Sequence, residues 1–308
     1  RSTVDRVMDD IRLGRSVDTQ DTRRAVQDLV GRVSADASAA LWLTNLKNRD
    51  EYTSIHCVNV CVFSLAFGLH MGLERDELTR LGMGALLHDV GKTRTPPDIL
   101  NKTGPLTPDE FEVVKRHAED GYQLMCESGG VPEEVLRIIR LHHERVSGAG
   151  YPFGLGGDDI PLPVRIVGLA DSYDAMTSDR SYQSAMPADG ALHRLYRQSA
   201  ETFGDDLVQE FIRCVGIFPV GSVVELDNGA VGVVVATRAD ARLQPTLLLV
   251  RTPDGSAYHK RVLLNLAADA PPGEARAARR IARAVQPDEV GVDVSRIVAS
   301  EFGLAAGG

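Results

Sequence analysis

Residues 85 to 92 read ALLHDVGK, and this stretch decides how the central region of the chain folds. Two leucines run directly into His88 and Asp89, and Gly91 then ends the apolar run. A carboxylate that is removed from water is costly unless a cation or several donors offset its charge. We therefore expect the pair to be either half of a metal site or a structural coincidence, and the rest of the chain decides between these.

Five further candidate ligands lie in other helical stretches, each at a helix end or on an inner face. The first lies in YTSIHCVNVCVFSLAF (52–67), and the second in TPDEFEVVKRHAEDGYQL (107–124), which opens with a capping-box pattern. Two adjacent histidines end PEEVLRIIRLHH (132–143), and a carboxylate lies in PVRIVGLADSYDAMTS (163–178). In chain order these candidates are His56, His117, His142, His143 and Asp171.

Asp171 is the most informative of them, because its predicted helix face is otherwise apolar. The residues at helical spacing on that face are Val164, Val167, Gly168 and Ala175. A carboxylate on a face that packs into a core must be paired or must bind a metal. A buried salt bridge to Arg165 or Arg180 is the alternative to metal binding.

Imidazole and carboxylate ligands together suit iron, manganese or zinc better than magnesium or calcium, which prefer oxygen ligands alone. Seven candidate ligands exceed what one ion needs, whereas two ions that share a bridging carboxylate use about that number. Two-metal sites favour the hydrolysis of phosphoesters, because they activate water and bind both the attacking and the leaving oxygen.

Composition is that of an ordinary globular protein. The chain has 308 residues, of which 43% are hydrophobic and 25% charged, and its formal net charge is −9. This charge argues against a nucleic-acid polymer as partner but not against a small anionic ligand. We expect no membrane span, no signal peptide and a cytoplasmic location. Cys57 and Cys61 are interpreted as small core residues.

The periodicity predicts a mainly α-helical fold with a change of character near residue 219. We expect an N-terminal helical segment at 1–48, a helical catalytic domain at 49–218 and a small β-barrel-like module at 219–266. Turn signals at 227–229 and 253–255 support the last of these. A helical or flexible tail is expected at 267–308, with a surface helix around 273–285.

Taken in order, the motifs resemble the HD superfamily of metal-dependent phosphohydrolases, and within it the HD-GYP family. The segments that carry this resemblance are LLHDVGKTRTPPDILNKTGPLT, HHERVSGAGYP and DSYDAMTSDRSY. It covers about residues 45–218, so the expected fold there is an HD-domain helical bundle.

The resemblance implies hydrolysis of cyclic di-GMP to pGpG, and in some members onward to GMP, by a hydroxide between two metal ions. Iron or manganese is expected. One ion would be held by the counterparts of His56, His88, Asp89 and Asp171, with Asp89 as the bridging catalytic carboxylate. The ligands that the resemblance implies for the second ion are His117, His142 and His143.

Substrate contacts are implied in the same way. Lys92 would stabilise charge on the reacting phosphate or assist the leaving oxygen. Arg180 would contact phosphate, for which its forked guanidinium is suited. The remaining contacts implied by the resemblance are Gly150, Tyr151, Pro152, Tyr182 and Gln183.

Several positions depart from the family pattern. Tyr52 stands four residues before His56, where members with three metals carry glutamate, and Glu51 is about 100° away around a helix. We therefore expect two ions per chain rather than three. Many members carry other residues where this chain has Ser147, Ser181 and Gln183, which predicts weaker or altered substrate binding.

Two alternatives remain open at this point. One is an HD phosphohydrolase that acts on another nucleotide, such as a mixed cyclic dinucleotide. The other is a module that binds cyclic di-GMP or a protein partner without turnover. The expected partners are cyclic di-GMP, diguanylate cyclase (GGDEF) or other signalling domains, and a second copy of the chain in a homodimer.

Overall fold

A computed structural model describes residues 10, 13, 18–44, 52–178, 185–237, 244–268, 280–294 and 296–297. Twelve α-helices and five β-strands lie within these ranges. The helices are α1 Thr19–Ala35, α2 Ala37–Leu43, α3 Tyr52–His70, α4 Arg75–Leu87, α5 Pro97–Leu100, α6 Pro108–Lys115, α7 His117–Ser128, α8 Glu133–Leu141, α9 Leu162–Thr177, α10 Ala188–Arg197, α11 Ser199–Thr202 and α12 Asp205–Val215. None of them has the length and hydropathy of a transmembrane segment.

Helices α3, α4, α8 and α9 surround one hydrophobic core, to which α1 also contributes. Helix α1 packs Val26, Val30 and Val33 into it, so the N-terminal helical segment shares a core with the helices that follow. Helix α4 begins at a capping box between Glu74 and Glu77. The predicted mainly helical architecture is confirmed.

The helices end where the candidate ligands begin. Helix α4 stops at Leu87, and a 3₁₀ helix follows at Val90–Arg94, so His88 and Asp89 occupy the junction. Helix α8 stops at Leu141, immediately before the two adjacent histidines. At a helix end, consecutive residues leave the regular helical geometry, which allows neighbouring side chains to face one site.

The helix predicted across residues 107–124 is broken. Helix α6 ends at Lys115 and α7 begins at His117, although the capping box of Thr107 and Glu110 is present. The 3₁₀ helix lies against this break, since a Cβ atom on Gly91 would be 2.0 Å from the carbonyl oxygen of His117. Helix periodicity alone could not reveal this tertiary contact.

The C-terminal part contains one antiparallel sheet with its own hydrophobic core. Its strands are β1 Val223–Leu226, β2 Val231–Ala236, β3 Thr246–Arg251, β4 Ala257–Asn265 and β5 Ile281–Val285. Their order in the sheet is β4-β3-β2-β1-β5. The sheet described here is open, with β4 and β5 at its edges, and closure into a barrel stays a prediction.

Strand β5 corrects the sequence prediction for the tail. A surface helix was expected around 273–285, but Ile281–Val285 pairs antiparallel with β1, from Val223 opposite Val285 onward. Pairing satisfies backbone groups along the free edge of β1 and buries Val285, and this outweighs the helix propensity of alanine and arginine. Residues 269–279 lie outside the described ranges.

Candidate metal centre

Five histidine side chains meet in the centre of the helical core. His88, His117 and His142 each place Nδ1 2.7–2.9 Å from the backbone carbonyl three residues earlier. A carbonyl only accepts hydrogen bonds, so each Nδ1 donates, and a neutral ring held in this way has its lone pair on Nε2. The sequence thus fixes the tautomer through the turn of helix that precedes each ring.

His117, His142 and His143 form one group. Nε2 of His117 lies 3.3 Å from Nε2 of His142 and 3.2 Å from Nε2 of His143. Two ligand atoms about 2.1 Å from one ion and 90–110° apart are about 3.0–3.4 Å from each other, so the spacing is that of a single coordination sphere. Burial and neighbouring histidines lower the pKa of His142 and His143, and burial lowers that of His117, which favours the neutral, ligating form.

A second group contains His56, His88 and Asp171. Nε2 of His56 lies 3.1 Å from Oδ1 of Asp171, and Nε2 of His88 lies 4.0 Å from the same oxygen. In the described ranges, these are the ion pairs of Asp171, and Arg165 is not among them. The carboxylate predicted on an apolar helix face is therefore buried against histidines.

Asp89 lies between the two groups. Its Oδ2 is 3.3 Å from Nε2 of His88 and 3.8 Å from Nε2 of His56, whereas its Oδ1 is 3.4 Å from Nε2 of His117. Each carboxylate oxygen thus faces a different group of histidines. This is the placement that a bridging carboxylate requires.

Two buried polar atoms at this place lie near other candidate ligands without a hydrogen bond that meets the usual geometry. In the part of the chain that the structure describes, Nε2 of His88 and Oδ1 of Asp89 make no hydrogen bond. Both residues are at most 3% exposed, and an unpaired buried polar atom costs free energy. A nitrogen lone pair and a carboxylate oxygen are both metal ligands, so the residues present fit divalent transition-metal ions.

Asp174 and Asn59 orient His56, and the sequence analysis missed both. Oδ2 of Asp174 lies 2.7 Å from Nδ1 of His56. The other carboxylate oxygen, Oδ1 of Asp174, accepts a hydrogen bond from Nδ2 of Asn59 at 3.0 Å. A carboxylate behind a ligating histidine is usual in metal sites. Helical spacing could have found them, because Asp174 follows Asp171 by three residues and Asn59 follows His56 by three.

Charge within the site is strongly coupled. Burial by itself would lower the pKa of His56, but hydrogen bonds to Asp171 and Asp174 more than offset it and raise the pKa to about 9. Burial opposes ionisation of Asp89, yet His88 and Lys92 hold its pKa well below the usual range. Nζ of Lys92 donates to Oδ2 of Asp89 at 2.5 Å, and this carboxylate keeps the pKa of Lys92 raised despite burial.

The loop at 148–156 covers the His143 side of the site. The ring of Tyr151 stacks on that of His143, with centroids 4.5 Å apart and planes 27° apart. Glu144 holds the loop, because its buried carboxylate accepts hydrogen bonds from the amides of Phe153 (2.7 Å) and Leu155 (2.9 Å).

Close backbone packing explains the glycine of this loop. A Cβ atom on Gly150 would lie 2.5 Å from the backbone of residues 143–145, so no other residue fits there without displacement. Ser147 directly precedes this loop and is one of the positions named above as departing from the expected pattern. Its Oγ accepts a hydrogen bond from the amide of Ala149 at 3.4 Å, as short polar side chains do in turns.

Cys57 lies closer to the site than its sequence interpretation implied. Its Sγ lies within 4.8 Å of ligand atoms of His88 and Asp89, and the residue is 1% exposed. Burial, followed by the charge of Asp89, raises the pKa of its thiol well above the usual value. Cys61, one turn further along α3, donates to the carbonyl oxygen of Gly82 at 3.4 Å.

Some of the predicted site residues fall outside the described ranges. Residues 179–184 are not described, and Arg180, Ser181, Tyr182 and Gln183 lie among them. Glu51 and the side chain of Tyr52 are also outside. The predicted substrate contacts of this segment and the predicted absence of a third ion stay predictions.

Comparison with known proteins points in one direction. The profile of the HD domain family matches residues 39–207, which is more than half of the chain. Over 236 residues the chain is 37% identical to the cyclic di-GMP phosphodiesterase PA4108 of Pseudomonas aeruginosa, covering 77% of this chain and 57% of that protein. Over 144 residues it is 44% identical to the cyclic di-GMP phosphodiesterase response regulator RpfG of Xanthomonas campestris, covering 46% and 38%.

The chain therefore spans less than two thirds of the length of these two relatives. One solved structure, that of Bd1817, an HDG"Y"P protein from Bdellovibrio bacteriovorus, superposes with a TM-score of 0.57 at 22% identity. The superposition covers 68% of this chain and 66% of that one. At this identity the likeness supports the fold alone.

Proposed function

Because the chain belongs to the HD domain family, with the Gly-Tyr-Pro loop of its HD-GYP branch, we propose that it hydrolyses cyclic di-GMP to pGpG. The observation that carries the proposal is the position of Asp89, whose two oxygens face separate groups of histidines. A site with two such groups suits phosphodiester hydrolysis, in which charge develops on both the attacking and the leaving oxygen.

Two divalent ions per chain would be held by the residues that the site brings together. His56, His88 and Asp171 would hold one, His117, His142 and His143 the other, and Asp89 would bridge them. When bound, such ions lower the pKa of water and neutralise phosphate charge. Iron or manganese is proposed, because nitrogen and oxygen ligands are mixed and thiolate is not needed.

Lys92 supplies positive charge beside the reacting phosphate. Its ammonium donates to Oδ2 of Asp89 at 2.5 Å, so it lies beside the carboxylate proposed to bridge the ions, where a positive charge would stabilise the phosphate. In the reaction, water adds to phosphorus, the bond from phosphorus to the 3′ oxygen breaks, and that oxygen leaves with a proton as a hydroxyl group. Lys92 is half-buried beside Asp89, and this position supports the proposal that its ammonium would hydrogen-bond to an oxygen of the phosphate.

The remaining parts of the proposal rest on family resemblance. Arg180, Tyr182 and Gln183 would contact the substrate beside Gly150, Tyr151 and Pro152. Further cleavage to GMP, a homodimer, coupling to GGDEF or other signalling domains, and a cytoplasmic location belong to the same proposal. So do the domain boundaries near residues 48, 218 and 266 and a barrel-like closure of the sheet.

The test is to measure bound metal and turnover in the same anaerobically purified sample. We expect about two iron or manganese ions per chain, and conversion of cyclic di-GMP to pGpG on a chromatogram. Asp89→Asn should abolish turnover while the helices stay folded by circular dichroism. Asp288→Asn, at an exposed carboxylate beyond the sheet, is the matched control and should retain wild-type activity.

Each other outcome has a defined meaning. The same assay is run with cyclic GMP-AMP and with cyclic di-AMP. Faster turnover of either than of cyclic di-GMP would mean that the proposed substrate is wrong. A further outcome is that the chain binds two metals and cyclic di-GMP tightly but turns over none of these nucleotides. That result would show that it is a binding module and not an enzyme. Full activity of Asp89→Asn would refute the bridging carboxylate.

A further inference from the structure

Helix α6 presents an exposed aromatic side chain at the rim of the site. Phe111 is 44% exposed, and none of the eight residues of α6 is buried. The helix is nevertheless fixed at its start by the capping box of Thr107 and Glu110, and Lys102 pairs with Glu110 at 2.6 Å. A capped helix that has no buried residue but displays a phenyl ring offers a surface for binding.

Lys115 connects this ring to the loop that covers the site. Its ammonium lies 4.9 Å from the ring centroid of Phe111 and 5.6 Å from that of Tyr151. The same ammonium pairs with the mostly exposed Glu112 at 2.7 Å, a partner that solvent screens. The cation is therefore held between two rings and can exchange its carboxylate for another anion.

The path from α6 to the candidate metal centre is continuous. Lys115 approaches Tyr151, and Tyr151 stacks on His143, whose Nε2 lies 3.2 Å from that of His117. A ligand whose phosphate occupies the centre would extend past Tyr151 toward Phe111. An aromatic face and a cation side by side match the two parts of a nucleotide, a base and a phosphate.

We propose that Phe111 and Lys115 form a nucleotide subsite, in which a purine stacks on the Phe111 ring and a phosphate pairs with the Lys115 ammonium. The proposal rests on the proposed function and names a part of the same site. Base stacking on an aromatic ring tolerates any base, so this subsite would favour nucleotide substrates over simple phosphodiesters without selecting guanine.

The experiment compares cyclic di-GMP with methyl p-nitrophenyl phosphate, a phosphodiester that has no purine. Phe111→Ala is expected to lower kcat/KM for cyclic di-GMP about tenfold, mainly through a higher KM, because stacking contributes equally to ground and transition state. The loss should be at least about five times larger than for the small diester. Phe111→Trp should keep the KM near the wild-type value because it keeps an aromatic face, whereas Phe111→Leu should raise the KM as Phe111→Ala does.

Tyr196→Ala is the matched control, since Tyr196 is a 53% exposed aromatic residue on α10. This variant should leave kcat/KM unchanged for both substrates. Lys115→Met should raise the KM for cyclic di-GMP and reduce its dependence on salt, as expected when a charge pair with phosphate is lost. Equal losses for both substrates in Phe111→Ala, or a KM that stays within twofold of wild type, would overturn the subsite.

Turnover by the wild-type protein reports on the proposed function, whereas the ratio of variant to wild type reports on the subsite. If the wild type hydrolyses no cyclic dinucleotide, equilibrium binding of cyclic di-GMP takes the place of KM. Weaker binding by Phe111→Ala than by Tyr196→Ala would then still support the subsite. Binding that is equal in both variants, or absent in the wild type, would reject it.

Discussion

The carboxylate of Asp174 lies 2.7 Å from Nδ1 of His56, on the side of the ring opposite the Nε2 that faces Asp171. This contact keeps a proton on Nδ1 of His56, so Nε2 is the nitrogen that would bind a metal once its own proton is lost. Asp174→Asn should therefore weaken metal binding about 10- to 100-fold, as changes behind a ligating histidine do. Competition with a chromophoric chelator measures the affinity.

Asp288→Asn provides the control for this prediction, because it removes an exposed carboxylate charge outside the helical core. It should leave the affinity within about twofold of wild type. An equal loss in both variants would mean that net charge, and not the orientation of His56, governs the affinity.

Proton release on metal binding gives a second prediction. His56 has a pKa of about 9 in the metal-free protein, so it is mostly protonated at pH 8 and must lose that proton to ligate. Titration of Mn²⁺ in buffers of different ionisation enthalpy should show more protons released by the wild type than by Asp174→Asn, by up to about one.

The size of this difference in released protons depends on pH in a defined way. A raised pKa stabilises the metal-free fold below the unfolded value of 6.5, and this stabilisation is lost as pH rises through about 9. The difference in released protons between the two proteins should therefore vanish near pH 10 and above. A difference that persists there would assign the proton to a group other than His56.

Two pairs of candidate ligands could be read from the sequence because each pair is encoded locally. His88 with Asp89 and His142 with His143 are adjacent in sequence at helix ends, and a helix end allows neighbours to face one site. Helical spacing places Asp174 on the same face as Asp171, but it does not reveal that Asp174 is the partner of His56. Asp174 is 118 residues away, and only the packing of α3 against α9 brings the two together.

Two structural differences have the same cause. The break between α6 and α7 at Arg116 accompanies the close approach of Gly91 to His117, a contact between segments that are far apart in sequence. Strand β5 forms because β1 offers a free edge, although its own residues favour a helix. In both places a tertiary contact outweighed the local helix propensity, and the sequence pattern of the segment itself does not reveal such a contact.

Glu144 supplies a third prediction, because its carboxylate accepts two amide hydrogen bonds from the loop that carries Tyr151. Glu144→Ala leaves the amides of Phe153 and Leu155 without this acceptor, and should lower the free energy of unfolding by about 1.5–3 kcal/mol. Urea unfolding measures it. Turnover of cyclic di-GMP should fall as well, since the loop no longer holds Tyr151 against His143.

Exposed Glu201 is the control for Glu144, since it is a glutamate on the short helix α11. Glu201→Ala should change the free energy of unfolding by less than about 0.5 kcal/mol. Unchanged turnover in Glu144→Ala would show that the loop keeps its place without the carboxylate.

Gly168 sets how closely α9 approaches the end of α8, and it supplies the last prediction. A Cβ atom there would lie 2.4 Å from the carbonyl oxygen of His142, whereas a Cβ atom on Gly31 of α1 would meet nothing within 4 Å. Gly168→Ala should lower the free energy of unfolding by about 1–3 kcal/mol, because the two helices must move apart. Since α9 carries Asp171 and His142 is a candidate ligand, metal affinity should fall with it.

Gly31→Ala is the same substitution at an exposed helical position and should raise the free energy of unfolding by up to about 1 kcal/mol. Thermal unfolding with and without Mn²⁺ separates the two effects of Gly168→Ala. Packing strain lowers the Tm in both conditions, whereas displaced ligands reduce the rise in Tm that the metal produces. If the metal raised the Tm of Gly168→Ala as much as that of Gly31→Ala, the approach of α9 to α8 would be structural only and would not set the metal site.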